Sequence, residues 1–320
     1  MVSRPQRILV IAGPTASGKT ARAVDLALCL GGELIGADSV QVYRRLDQGS
    51  AKPSREELRG VAHHLLDVVD LDAHFDAALF AAHADRAIAE VRARGNVPIV
   101  VGGAGLYLRA LIRGLAQNVP TDATLRATLN ARAAQGPDAL SAMHRELALV
   151  DAEYAAKIHV NDPVRIVRAL EVFALTGEAL SSHHKRHAAE APRYKAMFVG
   201  LEVPRPLLGE RIAARTRSML ARGWADEVRA ILADGYAHDL KALRSVGYAE
   251  VVALVRGELA GAALEDTIVR STREFAKRQR TWFRGESGVT WMAPEALDTP
   301  AFVREAEFFL KGEDSATLPR

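Results

Sequence analysis

Residues 13–20 read Gly-Pro-Thr-Ala-Ser-Gly-Lys-Thr, two glycines four residues apart followed by a lysine and a hydroxyl. That spacing predicts a loop whose backbone N–H groups converge on phosphate oxygens. Gly13, Pro14, Thr15, Ala16, Ser17 and Gly18 would form the cradle. Lys19 would supply a mobile cation, and Thr20 a hydroxyl for a bound Mg²⁺. A chance match in a glycine-rich turn is the competing reading, but an apolar strand signal before and a helix signal after favour the loop. The prediction is a nucleotide-type anion site for a di- or triphosphate. It does not specify ATP.

The acidic candidate is Asp38, in "ADSVQVY" (37–43). It falls where a second strand ends beside the first, the edge at which ligands gather in open α/β sheets. A carboxylate there could take a proton from a nucleophile or contact the metal. It could equally cap the turn or helix that follows. Local sequence leaves both readings open. The aspartate-ended strand of a nucleotide hydrolase is not evident, since Val97–Val101 runs into Gly102 and Gly103. "LLDVVD" (65–70) and "LALVD" (147–151) read better as a turn and a helix end. No Asn-Lys-x-Asp motif occurs, which argues against a GTPase.

Residues 267–284 carry six basic side chains against one acid, Glu274. Arg270, Arg273, Lys277, Arg280 and Arg284 recur at three- and four-residue intervals, one face of a helix. Ile268, Phe275 and Trp282 recur every seven residues, predicting an opposite, docked face. A charged face is usually just solvated, but five cations with no interleaved acid repel one another. A phosphate backbone would relieve that repulsion. Arg278 lies off the row, near Phe275 and Trp282, and is expected to reach inward to an anion. His63-His64 and His183-His184 with His187 lack the partners that complete a metal site. "SSHHKRH" (181–187) reads as a mobile basic loop.

These residues need a scaffold. Ile8–Ala12, Glu33–Ala37 and Val97–Val101 read as buried strands, separated by helices at Lys19–Leu30 and about Ala77–Arg94, the latter closed by Gly95. Strand, helix, strand with ligand-type residues at strand ends is the grammar of a parallel α/β sheet. From 114 to 195 strand signals give way to helices. One of these starts at Asp162-Pro163, a capping carboxylate followed by proline, with Ile166, Leu170 and Phe173 on one face and Arg165 and Arg168 on another. Ala196–Leu201 returns the chain to the sheet, and a short Val289–Met292 strand precedes a last helix at Pro300–Leu310. The expected organisation is a core first part (1–113), a helical insertion (114–195), a core second part (196–311) and a disordered tail (312–320).

The chain has 320 residues, 49% apolar and 25% charged, as expected of a globular protein. Net charge is only +3, so any polyanion affinity must come from local clustering. One cysteine, Cys29, cannot form an internal disulfide, and no stretch is long enough for a membrane span. The apolar start is too short for a signal-peptide core. A cytoplasmic protein without membrane contact is expected.

Taken in order, "GPTASGKT" (13–20), "ADSVQVY" (37–43), "GSAKPS" (49–54), "HHLLDVVD" (63–70), "VGGAGLYLRAL" (101–111), "HVNDPVRIVRALEV" (159–172), "LRSVGYAE" (243–250) and "AKRQRTWFRG" (276–285) resemble the tRNA dimethylallyltransferases, or IPP transferases, over roughly 7–292. The resemblance implies a P-loop NTPase-like parallel sheet flanked by helices, with the insertion holding the anticodon stem of tRNA. It implies transfer of a dimethylallyl group from dimethylallyl diphosphate to N6 of the adenine 3′ to the anticodon, with pyrophosphate leaving and Mg²⁺ as cofactor. Lys19 would then neutralise a leaving group, Asp38 would be the base, and Arg215 in "RIAAR" (211–215) would sit by the diphosphate.

RNA contacts are implied for Asp38, Ser39, Val40 and Gln41, for Arg126, and for Val164, Arg165, Ile166, Val167 and Arg168. They are also implied for Arg244, Ser245, Val246, Gly247, Tyr248 and Ala249, and for Lys277, Arg278, Gln279, Arg280, Thr281, Trp282, Phe283 and Arg284. The family usually reads Gly-Gly-Thr where this chain has Gly102-Gly103-Ala104, so a hydroxyl near the substrate is missing at Ala104. Competing readings are prenylation of free adenine nucleotides, a P-loop kinase with an arginine-rich lid, and a non-enzymatic RNA-binding switch. A monomer is expected.

Overall fold

The computed structural model describes residues 6–115 and 119–312. The tail expectation therefore falls, apart from Gly312, outside the described residues. The chain divides into two compact units, one built from the segments before Arg113 and after Pro192, the other from Arg113–Pro192. The second unit ends before residue 195 because the return strand already starts at Tyr194.

The first unit begins β1 (Gln6–Ala12), α1 (Lys19–Leu30), β2 (Gly32–Ala37), α2 (Arg55–Leu58), β3 (His63–His64), α3 (Ala77–Ala93), β4 (Val97–Gly102) and α4 (Gly105–Arg113). The described elements of the second unit are helices: α5 (Ala123–Ala133), α6 (Pro137–Val150), α7 (Ala152–Ala155), α8 (Pro163–Thr176) and α9 (Leu180–Ala188). The first unit resumes with β5 (Tyr194–Leu201), α10 (Arg205–Ala221), α11 (Trp224–Ala233), α12 (Tyr248–Val255), α13 (Gly261–Arg284), β6 (Val289–Met292), a 3₁₀ turn Pro294–Asp298 and α14 (Pro300–Lys311).

The six strands among the described residues run parallel in the order β3-β2-β4-β1-β5-β6. The apolar runs of the three central strands are buried on both faces, as a sheet covered by helices on both sides requires. Ile8, Val10, Ile35 and Val100 face one core with Phe80, Leu108 and Phe283. Leu9, Ile11, Leu34 and Ile99 face the other with α1 and α14. Parallel strands bring their C-terminal ends to one edge, so Ala12, Ala37 and Gly102 lie side by side there. A Cβ on Gly102 would fall 2.0 Å from the Ala37 carbonyl oxygen, which makes glycine a condition of this close approach.

One element is unpredicted and one sequence expectation changes. The two-residue strand β3 is too short to carry a periodic signal and is held by pairing to Leu34 and Ile35. "SSHHKRH" is not a loop: it forms most of α9, with Leu180, Ser181 and His183 buried. Lys185, Arg186 and the neighbouring histidines mask the helical period there, while tertiary packing supplies the inner face.

The second unit packs α5, α6 and α8 around Met143, Leu147, Ile166, Val167, Leu170 and Val172. Asp162 accepts the Arg165 N–H at 3.1 Å, and Pro163 occupies the first turn of α8, as its sequence predicts.

Candidate active site

The phosphate-loop backbone joins β1 to α1 in the predicted place. Gly18 adopts φ 84° as the N-cap of α1, a conformation that glycine takes without Cβ strain. Ala16 takes φ 63°, an uncommon left-handed alanine. Gly13 makes room for the fully buried Ser17, because a Cβ there would lie 2.8 Å from Ser17 Oγ. Ser17 Oγ has no hydrogen-bond partner among the described residues, an orphaned buried hydroxyl inside the loop.

A cavity of about 410 Å³ opens at this edge of the sheet. Thr15, Ala16, Lys19 and Thr20 line it from the loop, Asp38 to Gln41 from the end of β2, and Gly102 to Ala104 from the end of β4. Ile212, Arg215 and Met219 contribute from α10, Arg244 to Val246 from the segment before α12, and Phe275, Arg278 and Gln279 from α13. The three predicted catalytic side chains, Lys19, Asp38 and Arg215, therefore share one space.

Asp38 satisfies both of its sequence readings. Its Oδ1 accepts N–H bonds from Val40 (2.8 Å) and Gln41 (3.2 Å), the capping role. No protein donor among the described residues occupies Oδ2, which leaves an oxygen for a ligand. Gln41 in turn donates to the carbonyls of Ser50 (3.0 Å) and Ala51 (3.1 Å), so the Asp38 turn is braced against 49–54.

Burial lowers the Lys19 pKa to about 8, with Asp38 pulling it up and Arg215 pushing it down. The Arg215 guanidinium is likewise lowered by burial, with Asp38 opposing. Lys19, Arg215, Arg244 and Arg278 make no salt bridge among the described residues, so four cations face one carboxylate across the cavity. An anion is the ligand that relieves this imbalance.

Three cavity features carry little sequence signal. His63 has both ring nitrogens buried without partners among the described residues, and burial pushes its pKa down to about 4, so it is neutral. His64 turns away and meets Glu33 at 2.6 Å. Trp224 packs over two backbone approaches: a Cβ on Gly49 or Gly247 would lie 2.1 or 2.3 Å from its ring. Its Nε1 is also buried and has no partner among the described residues. Gln279 accepts the Thr15 N–H at 2.9 Å and donates to the Gly103 carbonyl at 3.0 Å.

Among the described residues no three His, Cys, Asp or Glu side chains come together as a metal cage. The oxygen set on offer is the Thr20 hydroxyl with the Asp38 carboxylate lining the same cavity. Those donors suit Mg²⁺ only if a phosphate ligand supplies further oxygens, as is usual for this ion.

The docked face of α13 differs from the predicted seven-residue row. Ile268 is buried, but the inner face continues through Ala276, Gln279 and Phe283. Phe275 instead lines the cavity, and half-buried Trp282 stacks under Arg109, 4.5 Å from its guanidinium. Arg278 does line the cavity but remains exposed, 5.8 Å over the Phe275 ring.

Arg273, Lys277 and Arg280 form a groove with Arg205 from α10, over an apolar floor of Leu208, Ile212 and Ala276. Crowding by Arg205 and Arg284 adds to burial in lowering the Arg280 pKa. Arg284 is partly neutralised by Glu202 at 2.9 Å, and Arg270 lies exposed farther along the helix.

Of the residues expected at RNA, several are withdrawn from the surface. Ile166 and Val167 belong to the core of the second unit, and Phe283 to that of the first. Tyr248 is fully buried, receiving the Gly49 N–H at 3.1 Å and donating to Glu227 at 2.7 Å. Ser39, Val164, Arg165, Arg244, Ala249, Lys277 and Thr281 are exposed; Ser245, Val246 and Ala104 are partly so, and Gly247 is covered. Arg126 and Arg168 both bind Glu171, which is fully buried, at 2.8 and 2.6 Å. Burial alone would raise the Glu171 pKa, but bonds from these arginines and the Asp122 N–H bring it below its ordinary value. Sequence reasoning missed Glu171 because a lone glutamate in a helix carries no sign of burial.

Residues 41–286 match the family model of IPP transferase. The chain is 46% identical over 286 residues to the tRNA dimethylallyltransferase of Geobacter metallireducens, covering 89% of this chain and 92% of that protein. It is 50% identical over 302 residues to the enzyme of the same name from Anaeromyxobacter sp. strain Fw109-5, covering 94% and 99%. Among solved structures, the tRNA isopentenylpyrophosphate transferase of Bacillus halodurans matches with TM-score 0.69 and 35% identity over 97% of this chain and 96% of that one. A eukaryotic dimethylallyltransferase acting on tRNA matches with TM-score 0.77 and 25% identity, covering 97% and 80%.

Proposed function

The chain belongs to the IPP transferase family, and we propose that it transfers a dimethylallyl group from dimethylallyl diphosphate to N6 of the adenine 3′ to the anticodon of tRNA. The observation that carries the reading is the cavity that places a phosphate loop, one carboxylate with a free oxygen and four unpaired cations around a single space. In this reading the amine nitrogen attacks the allylic carbon, the carbon–oxygen bond breaks, and the diphosphate leaves with the bonding electrons. Asp38 Oδ2 takes the proton the nitrogen sheds. Lys19, Arg215 and the loop amides meet the charge that develops on the leaving group. Mg²⁺ on Thr20 and the phosphate oxygens would add charge neutralisation when bound.

The exposed cations of α13 and the Arg205 groove suit the phosphate backbone of the RNA. The target base must leave its stack to reach a cavity at the sheet edge, as adenine-modifying enzymes require. The second unit offers its own basic surface at Arg165 for the anticodon stem. No described helix is long and apolar enough to cross a membrane, and with Cys29 free the proposed setting is the cytoplasm, as a monomer.

Incubation with tRNA and dimethylallyl diphosphate tests this directly. Prenylated adenosine and released diphosphate in equal amounts are expected. Prenylation of free AMP, but not of tRNA, would move the acceptor to a nucleotide. Release of γ-phosphate from ATP without any prenyl transfer would overturn the reading in favour of a kinase.

A further inference from the structure

The phosphate loop of this protein is short of donors at its beginning. Pro14 has no N–H. The Thr15 N–H points to Gln279 Oε1 at 2.9 Å, and the Ser17 N–H to the Pro14 carbonyl at 3.2 Å. Gln279 is itself held from its other end, donating to the Gly103 carbonyl at 3.0 Å. Both of its amide functions are satisfied and the side chain is buried, so it has little freedom to move aside. The space is also filled: a Cβ on Gly103 would lie 2.3 Å from Gln279 Nε2. Among the described residues the Ala16 N–H and those at the helical end, of Gly18, Lys19 and Thr20, have no protein acceptor.

We propose that Gln279 sets the length of the phosphate chain this loop prefers, favouring a diphosphate over a triphosphate. A phosphate chain seated on the first turn of α1 extends back along the loop toward its earlier residues. Two phosphates are served by the helical end and Lys19. A third would lie at Pro14 and Thr15, against a loop without donors and a buried side chain. Gln279 touches no ligand in this account; it is a positioning residue that acts through Thr15 and through the space it fills. The inference deepens the proposed function, since it rests on reading the loop as a diphosphate site. It also explains how a loop with nucleotide-binding spacing can stand in a protein that does not need a nucleoside triphosphate.

The test is calorimetric titration of the full chain with inorganic diphosphate and inorganic triphosphate, in magnesium-free buffer so that neither anion is chelated. Charge alone favours the triphosphate, so a preference for diphosphate runs against electrostatics. Wild-type protein is expected to bind diphosphate about tenfold more tightly, the worth of roughly one hydrogen bond. Gln279→Ala frees the Thr15 N–H and opens space, and should bring the two affinities to within about threefold. Gln279→Leu frees the N–H but keeps the volume, and should fall between. Thermal melting of each variant establishes folding, and Gln279→Leu decides if Gln279→Ala does not fold.

A wild type that binds triphosphate as tightly as diphosphate overturns the proposal. So does an equal weakening of both anions in the variants, which would mark Gln279 as merely structural. The readout needs neither RNA nor prenyl donor. A shift in the anion ratio without any prenyl transfer would sink the proposed function and leave this inference standing; prenyl transfer with an unmoved ratio would do the reverse.

Discussion

The Lys19 ammonium and the Asp38 carboxylate line one cavity, and the carboxylate partly offsets the burial that holds the lysine pKa down at about 8. Each group is placed by a different strand end, Lys19 after β1 and Asp38 after β2. Their pairing is a property of the parallel sheet and not of either motif alone.

Asp38→Asn separates the two roles of this carboxylate. The amide oxygen can still accept the Val40 and Gln41 N–H bonds, so the turn should survive. The proton acceptor is gone, and kcat should fall by about 10²–10⁴, the usual worth of a general base. Binding of tRNA, measured by filter retention, should stay within about threefold of wild type. Unchanged turnover would remove Asp38 from the chemistry.

Lys19 predicts the alkaline limb of the pH profile. The free protein needs the ammonium, so kcat/KM for dimethylallyl diphosphate should decline above about pH 8 as that proton is lost. A bound diphosphate stabilises the charged lysine, so kcat should persist to higher pH than kcat/KM. Steady-state rates between about pH 6 and 10, on the order of one measurement per half unit, resolve the two limbs. Lys19→Ala should abolish the limb along with most of the turnover.

The loop spacing, the parallel core and the basic α13 were legible in the sequence because each depends on local pattern: glycine positions, apolar runs, charge at helical intervals. The site required more. Asp38 could not be chosen over its capping role, since that role and an open Oδ2 coexist and only tertiary placement shows it. Gln279, His63 and Trp224 carry no local signal. Each matters through its tertiary surroundings: Gln279 through the Thr15 amide, Trp224 through the Gly49 backbone, and His63 through the burial that keeps its ring neutral. Arg126 and Arg165 look alike in sequence, yet one is spent on the buried Glu171 and the other stays exposed. Burial of a partner is a long-range property, and one-dimensional spacing does not encode it.

Glu33 predicts the acid limb of stability. Arg94 at 2.9 and 2.7 Å, together with Asn96 and His64, holds this buried carboxyl down at about 2. Its folded pKa lies below the ordinary carboxylate value, so its contribution is complete above about pH 4.5 and is lost as pH falls through about 2. The loss amounts to at most about 3 kcal/mol. Glu33→Ala should remove a similar amount at neutral pH and flatten the acid limb, as read by urea unfolding at several pH values.

Ala104 stands at the cavity wall, its N–H bonded to the Ala37 carbonyl at 3.1 Å. Ala104→Thr adds a hydroxyl to the wall of the cavity that Asp38 also lines, and leaves that backbone bond in place. If a substrate hydrogen bond is missing here, kcat/KM should rise by up to about tenfold, the scale of one such bond. No change in kcat/KM would show that Ser39 or solvent already fills the role.

Arginine and lysine substitutions should divide by partner and not by position in the sequence. Arg273, Lys277 and Arg280 face the Arg205 groove without a carboxylate partner among the described residues, and Arg205 and Arg284 crowd Arg280. Replacing any of them by alanine should weaken tRNA binding. It should also reduce the slope of log K against log salt by about 0.7–0.9 for each phosphate no longer neutralised. Melting temperature should hold or rise slightly, because repulsion is relieved. Arg126→Ala should behave in the opposite way. It strips a counter-charge from the fully buried Glu171, at a cost of about 3–5 kcal/mol if Arg168 cannot compensate. Its effect on RNA should track unfolding of the second unit, with the salt slope nearly unchanged. Glu171→Gln in the Arg126→Ala background should recover part of the stability, since a neutral amide needs no counter-charge. A salt slope for Arg126→Ala that drops by the full value of one phosphate, with normal melting, would instead make Arg126 a direct RNA ligand.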